Sequence, residues 1–112
     1  MESIGSSQNL DTVFEALANQ HRRNIVYVLG LQPCSISHLA SMQHLSLPAI
    51  HKHIKILENA GMITKKKTGR ITFLTLNKNS LQSLQDWLLQ YHAYWGTNKD
   101  SLDNYIQYLK KR

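Results

Sequence analysis

The stretch LSLPAIHKHIKILENAGMI, Leu45 to Ile63, carries its own start and stop signals. Ser46 offers a side-chain oxygen to the unbonded N–H groups of a first helical turn, and Pro48 loses nothing there because those N–H groups have no intrahelical partner. Ile50, His53, Ile54 and Leu57 follow at i, i+3, i+4 and i+7, the spacing of one helical stripe, and Gly61 suits a left-handed stop. His53, on that inward stripe, reads as a core histidine hydrogen-bonded to a neighbour. Left for the outer face are Leu47, Pro48, His51, Lys52 and Lys55.

Upstream, Ser35 can cap a short helix with Ile36, Leu39, Ala40 and Met42 turned inward, and Gln43 to Ser46 joins it to the first stretch. Two short helices over 35–60 joined this tightly form a helix-turn-helix pattern. Downstream, MITKKKTGRITFLTL, residues 62–76, has two β-rich arms around Thr68-Gly69, with Ile71, Phe73 and Thr75 on one face of the second arm and Thr72, Leu74 and Leu76 on the other. Its tip carries Lys65, Lys66, Lys67 and Arg70, side chains suited to phosphate or minor-groove contact. A helix-turn-helix followed by a basic hairpin is a winged helix.

Further out, Leu10, Val13, Phe14 and Leu17 predict a first helix ending near Asn19-Gln20, and Ile25, Val26, Val28 and Leu29 a second, stopped between Gly30 and Pro33. Beyond Asn77, Leu81, Leu84, Leu88, Tyr91 and Trp95 line a long helix, Gly96-Thr97 breaks it, and Leu102, Tyr105, Ile106 and Leu109 mark a last one. The fold class is thus mainly α with a small β-hairpin: a winged helix-turn-helix of four helices, hairpin and two helices. Residues 1–9 are polar and read as a short flexible arm, 10–112 as a single domain, and 78–112 as its C-terminal dimerisation helices. Two Trp and four of the five Tyr lie beyond Asp86, more aromatic surface than one small domain can cover, so a subunit interface is expected there.

At 112 residues and 42% hydrophobic, the chain can bury one modest core, and small domains are often completed by a partner. Of the net charge of +6, the segment Ser46 to Arg70 carries six bases against Glu58 alone, 6 − 1 = +5. A patch of that sign suits a polyanion. No glycine-rich phosphate loop, nucleophile elbow or clustered carboxylate pair is present, so neither an enzyme nor a cofactor is expected. No apolar run approaches the roughly 20 residues a bilayer span needs. One cysteine, Cys34, allows no internal disulfide, and a cytoplasmic chain without membrane contact is expected. Cys34 itself reads as a small buried hydrophobe, with oxidation as its alternative role.

Taken together, VFEALANQHRRNIVYVL, SISHLASMQHLSLPAIHKHIKILENAGMI and KKKTGRITFLTLN resemble the ArsR family of bacterial and archaeal winged-helix regulators, over about Leu10 to Leu89. The resemblance implies a homodimer joined through the first and C-terminal helices, which places Leu10, Val13, Phe14, Leu84, Leu88, Tyr91 and Trp95 at the interface. It also implies a double-stranded operator of twofold symmetry and repression released by a signal. Many members sense metals, but where their paired thiolates stand this chain has Ser35 and Ser37. At the offsets of a second family metal site, on the C-terminal helix, it has Leu88, Lys99 and Leu102. Serine hydroxyls are poor ligands for soft ions, so no metal is expected, and any small effector is unknown.

On this reading Ser46, Leu47, Pro48, His51, Lys52 and Lys55 face the major groove. Leu47 and Pro48 can meet a thymine methyl and Lys52 can donate to guanine N7 or O6, while Lys55 and the wing bases hold phosphate. The rival is a winged-helix module that docks proteins through its aromatic half, with DNA binding weak or lost. Leu47 favours it slightly, because the family often has a polar residue there.

Overall fold

The computed structural model describes residues 2–95 and 98–111, and the side chains of 10–91 and 102–111 among them. In chain order the elements are α1 (Glu2–Leu17), α2 (Gln20–Leu31), β1 (Cys34–Ser35), α3 (Ile36–Met42), α4 (Leu47–Asn59), β2 (Ile63–Thr68), β3 (Ile71–Leu76), a 3₁₀ turn (Lys78–Leu81), α5 (Gln82–Trp95) and α6 (Asn98–Lys110).

Short polar side chains start the helices. Asn19 Oδ1 accepts from the N–H groups of His21 and Arg22, Ser35 Oγ from His38 N–H, and Ser46 Oγ from Ala49 N–H, each bond of a kind that contributes about 1 kcal/mol. The stop of α4 is equally local. Gly61, at φ +73°, lets its own N–H reach Glu58 O while Met62 N–H reaches Leu57 O, and Leu57 and Met62 are both fully buried. This is a Schellman stop with its apolar contact, and it delivers the chain into β2 one residue later. Gly61→Ala keeps the space but not the backbone freedom, since nothing stands within 4 Å of an added Cβ. Chemical denaturation of that variant should show a loss of about 1 kcal/mol.

Three strands form the sheet, in the order β1-β3-β2 and antiparallel throughout. β1, absent from the sequence expectation, pairs Cys34 with Leu74 and Ser35 with Phe73. Two residues are too short for alternation to show. The core draws Ile25 from α2, Leu39 from α3, Ile50, Ile54 and Leu57 from α4, and Leu74 from β3, all fully buried. The inward stripe of α4 is therefore the centre of the core, and this fixes which side of α4 faces out.

Three expectations need correction. α1 begins at Glu2, where the sequence suggested an unstructured arm to Asn9; extending a helix already nucleated at Leu10 to Leu17 fixes one residue per hydrogen bond gained. Met42 is 41% exposed, because the stripe of Ile36, Leu39 and Ala40 continues to Gln43. Val13, expected at the subunit interface, is 2% exposed inside the protomer's own core.

A radius of gyration of 18.9 Å, with extents of 68 × 31 × 21 Å, exceeds the about 13 Å of a compact chain this long. On α6, Leu102, Tyr105, Ile106 and Leu109 are all exposed.

Candidate nucleic-acid interface

Rotation of α4 is set by its buried stripe, and 3.6-residue periodicity then puts Leu47, Pro48, His51, Lys52 and Lys55 on a single outward arc. All five are exposed, Leu47 at 52%. Ser46, also exposed, uses its oxygen as the cap and keeps its hydroxyl hydrogen for donation. The helix therefore presents, from its N-terminus onward, a hydroxyl, two apolar groups, an imidazole and two ammonium groups.

The wing leaves directly from the end of α4. Thr68 pairs with Ile71 across a two-residue turn, with Gly69 at φ +64° and Arg70 beside it. Glycine in the first of two turn positions is what a type II′ hairpin requires. Lys65, Lys66 and Lys67 stand opposite Leu74, Phe73 and Thr72. Directly opposed residues share a face, so Lys66 projects from the side of the sheet opposite to Lys65 and Lys67. Lys65 Nζ lies 3.5 Å from Glu58 Oε1, an ion pair between wing and helix with both partners substantially exposed. Such a pair adds little stability, but it partly neutralises Lys65.

Behind α4 lies a polar cluster that joins three elements. Arg22 Nη1 stands 3.3 Å from His53 Nδ1, and His21 Nδ1 stands 2.8 Å from Gln43 Oε1. The His21 and His53 rings are 5.5 Å apart between centroids. The half-buried His53 is thus bonded to a neighbour, as its place on the inward stripe suggested. Spacing could not announce Arg22 or Gln43, because each partner comes from another helix. Burial pushes the His53 pKa down, and the electrostatic influence of Arg22, His21 and Lys52 pushes it the same way. The folded chain then binds fewer protons than the unfolded one. Stability is full above the ordinary imidazole range and falls as pH drops from about 6.5 through the lower native value. Denaturation between pH 8 and pH 5 should show this loss, and His53→Asn, which keeps an acceptor but cannot titrate, should remove part of it.

α1 packs against α5. Phe14 meets Trp87 edge-on at 5.4 Å and Trp87 meets Tyr91 at 5.0 Å. Leu88 and Tyr91 are more than half exposed, Phe14 is exposed, and Leu10 and Leu84 are half-buried. The side chain of Trp95 lies outside the described residues. Cys34 is buried, which pushes its thiol pKa up against the opposing hydrogen bond from the Ser35 backbone. A thiol held protonated is a weak nucleophile, so the packing role is favoured over oxidation. Ser35 and Ser37 bring their hydroxyl oxygens to 3.5 Å. Among the described residues no three His, Cys, Asp or Glu side chains are grouped to hold a metal ion, and no helix is long and apolar enough to cross a membrane.

Comparison with known proteins gives one consistent result. The family model described as bacterial regulatory protein, arsR family, matches residues 19–65, from the cap of α2 into β2. The uncharacterized HTH-type transcriptional regulator YuzN of Bacillus subtilis is 34% identical over 89 residues, covering 71% of this chain and 96% of YuzN. The transcriptional repressor SdpR of the same organism is 28% identical over 82 residues, covering 73% of this chain and 91% of SdpR. Among solved structures, an ArsR-like transcriptional regulator from Rhodococcus sp. RHA1 superposes with a TM-score of 0.71 at 28% identity, over 96% of this chain and 94% of that one.

Proposed function

Because the chain belongs to the ArsR family and is a winged helix-turn-helix transcriptional regulator, we propose that it binds a twofold operator as a homodimer, with α4 in the major groove and the wing on the backbone. The observation that carries this reading is the single outward arc of α4, locked by the buried Ile50, Ile54 and Leu57 and followed without a break by a basic hairpin. A helix about 10–12 Å across matches a groove about 12 Å wide. Lys52 and His51 read base edges, Leu47 and Pro48 meet thymine methyl groups, and Ser46, Lys55, Lys65, Lys66, Lys67 and Arg70 hold phosphate.

Dimerisation draws support from the elongated protomer and from the exposed apolar residues of α5 and α6. Leu10, Phe14, Leu84, Leu88 and Tyr91 form this surface, and the chain acts as one domain, α1 included from Glu2, with its dimerisation helices at 78–112. Repression is the proposed outcome, in line with the name of SdpR. The protein works in the cytoplasm, performs no catalysis and takes no metal, since hydroxyls stand where the family's metal sensors have thiolates. One observation favours the rival protein-docking module: Leu47, an apolar side chain half exposed at the head of α4.

Three single variants separate the two. Lys66→Ala should weaken binding to all duplexes equally and lower the salt slope by about 1 for each protomer bound, whereas Lys52→Ala and His51→Ala should also change base preference. Uniform losses in all three would contradict the division between reading and holding. Unchanged binding in all three would favour protein docking.

A further inference from the structure

The C-terminal carbonyls of α1 are gripped by the two arginines that open α2. Arg22 Nε donates to Ala16 O at 2.5 Å and Nη2 to Glu15 O at 3.4 Å, while Arg23 Nη1 donates to Leu17 O at 2.8 Å. A guanidinium at a helix C-terminus meets the carbonyls of the last turn, of which Glu15 O also accepts from Ala18 N–H, and the negative end of the dipole. Arg22 goes further than Arg23, because its remaining Nη1 reaches across to His53 Nδ1 in α4 at 3.3 Å. One planar group therefore touches the first helix and the recognition helix at once.

Arg22 also lines a space between these two helices. An open cleft of about 390 Å³ lies between them, lined by Thr12, Glu15 and Ala16 of α1, Ile56 and Asn59 of α4, and Arg22 itself. Val13 and Ala16 of α1 share the buried core with Ile54 and Leu57 of α4, and beside the cleft the rigid fork of donors adds a directional tie to that packing. The His53 ring also lies 5.5 Å from that of His21, which Gln43 orients from the end of α3. The charged and titratable groups facing His53 are thus Arg22 and His21 of α2 and Lys52 of its own helix.

We propose that Arg22 is a positioning residue for DNA reading: by tying His53 to the end of α1, it sets the separation and tilt of the recognition helix relative to the dimer-forming surface, and so the half-site spacing the dimer accepts. This rests on the DNA-binding reading above. One base-pair step moves a half-site by about 3.4 Å and turns it by about 35°, so a change in both the separation and the tilt of α4 moves the preferred spacing. The bond needs an acceptor at His53 Nδ1 and a donor fork at residue 22. Arg22→Lys keeps the charge and loses the fork; His53→Phe keeps the ring volume and loses the acceptor; His53→Asn keeps an acceptor.

The test uses the full-length chain and duplexes carrying two copies of its selected half-site, inverted, with spacers from two base pairs shorter to two longer than the optimum. The wild type should prefer one spacer over its neighbours by on the order of tenfold. Arg22→Lys and His53→Phe should flatten that preference while leaving half-site base preference and salt slope unchanged, and His53→Asn should restore it. Two variants that break the tie from opposite ends keep the test valid should one fold poorly. Both keeping the wild-type spacer preference would overturn the inference alone. A wild type that selects no inverted repeat would overturn the DNA-binding reading and the inference with it.

Discussion

Replacing Lys66, Lys67 and Arg70 together by alanine should lower affinity for every duplex about 10⁴-fold at 0.15 M salt, and reduce the slope of log affinity against log salt by about 5.4. The figure follows from counterion release: each cation that neutralises a phosphate contributes about 0.9 to the slope and the homodimer carries each residue twice, so removing six such cations at 0.15 M removes a factor of roughly 0.15 to the power −5.4. Lys65 is left out because Glu58 already shares its charge at 3.5 Å. All three substituted residues are exposed, so stability should stay within about 0.5 kcal/mol of the wild type and the weaker binding can be assigned to DNA contact. Selected base preference should not move. A triple variant with undiminished affinity would show that the wing does not touch DNA.

Leu88→Glu should leave a folded monomer whose operator affinity is lower by about 10³-fold or more, the difference between engaging two half-sites and one. Leu88 is 54% exposed on α5, outside the protomer's own core but beside the Phe14–Trp87–Tyr91 ladder. In an isologous interface the substitution enters twice, so two carboxylates are buried without partners, each at a cost of several kcal/mol. Sedimentation should show the halved mass, and the melting transition should persist because the buried stripes of α2, α3 and α4 are untouched. A dimer that survives the change would place the interface elsewhere, on α6 for instance, where Leu102, Tyr105 and Ile106 are exposed.

The recognition helix is legible in the sequence because its determinants are local. Ser46, Pro48, the Ile50–Ile54–Leu57 stripe and Gly61 all lie within one short stretch, and each acts on neighbours a few residues away. The hairpin is legible for the same reason, its turn glycine lying between two alternating arms. Periodicity misleads where it falls one position off. It points Met42 inward, while the stripe passes to Gln43, whose side chain goes on to orient His21. β1 has no local signature because its only signal is pairing with β3, some forty residues downstream. Val13 reads as an interface residue because a stripe on a first helix can face either its own core or a partner, and spacing does not say which. The Arg22–His53 bond spans 31 positions, and nothing in either local sequence announces the other partner.

Sequence-specific DNA reading is tested most directly by selecting bound duplexes from a random pool with the purified wild-type chain at two salt concentrations. Enrichment of an inverted repeat with half-site centres about one helical turn apart, persisting at the higher salt, is the expected result. Failure to enrich any motif at either concentration would contradict it.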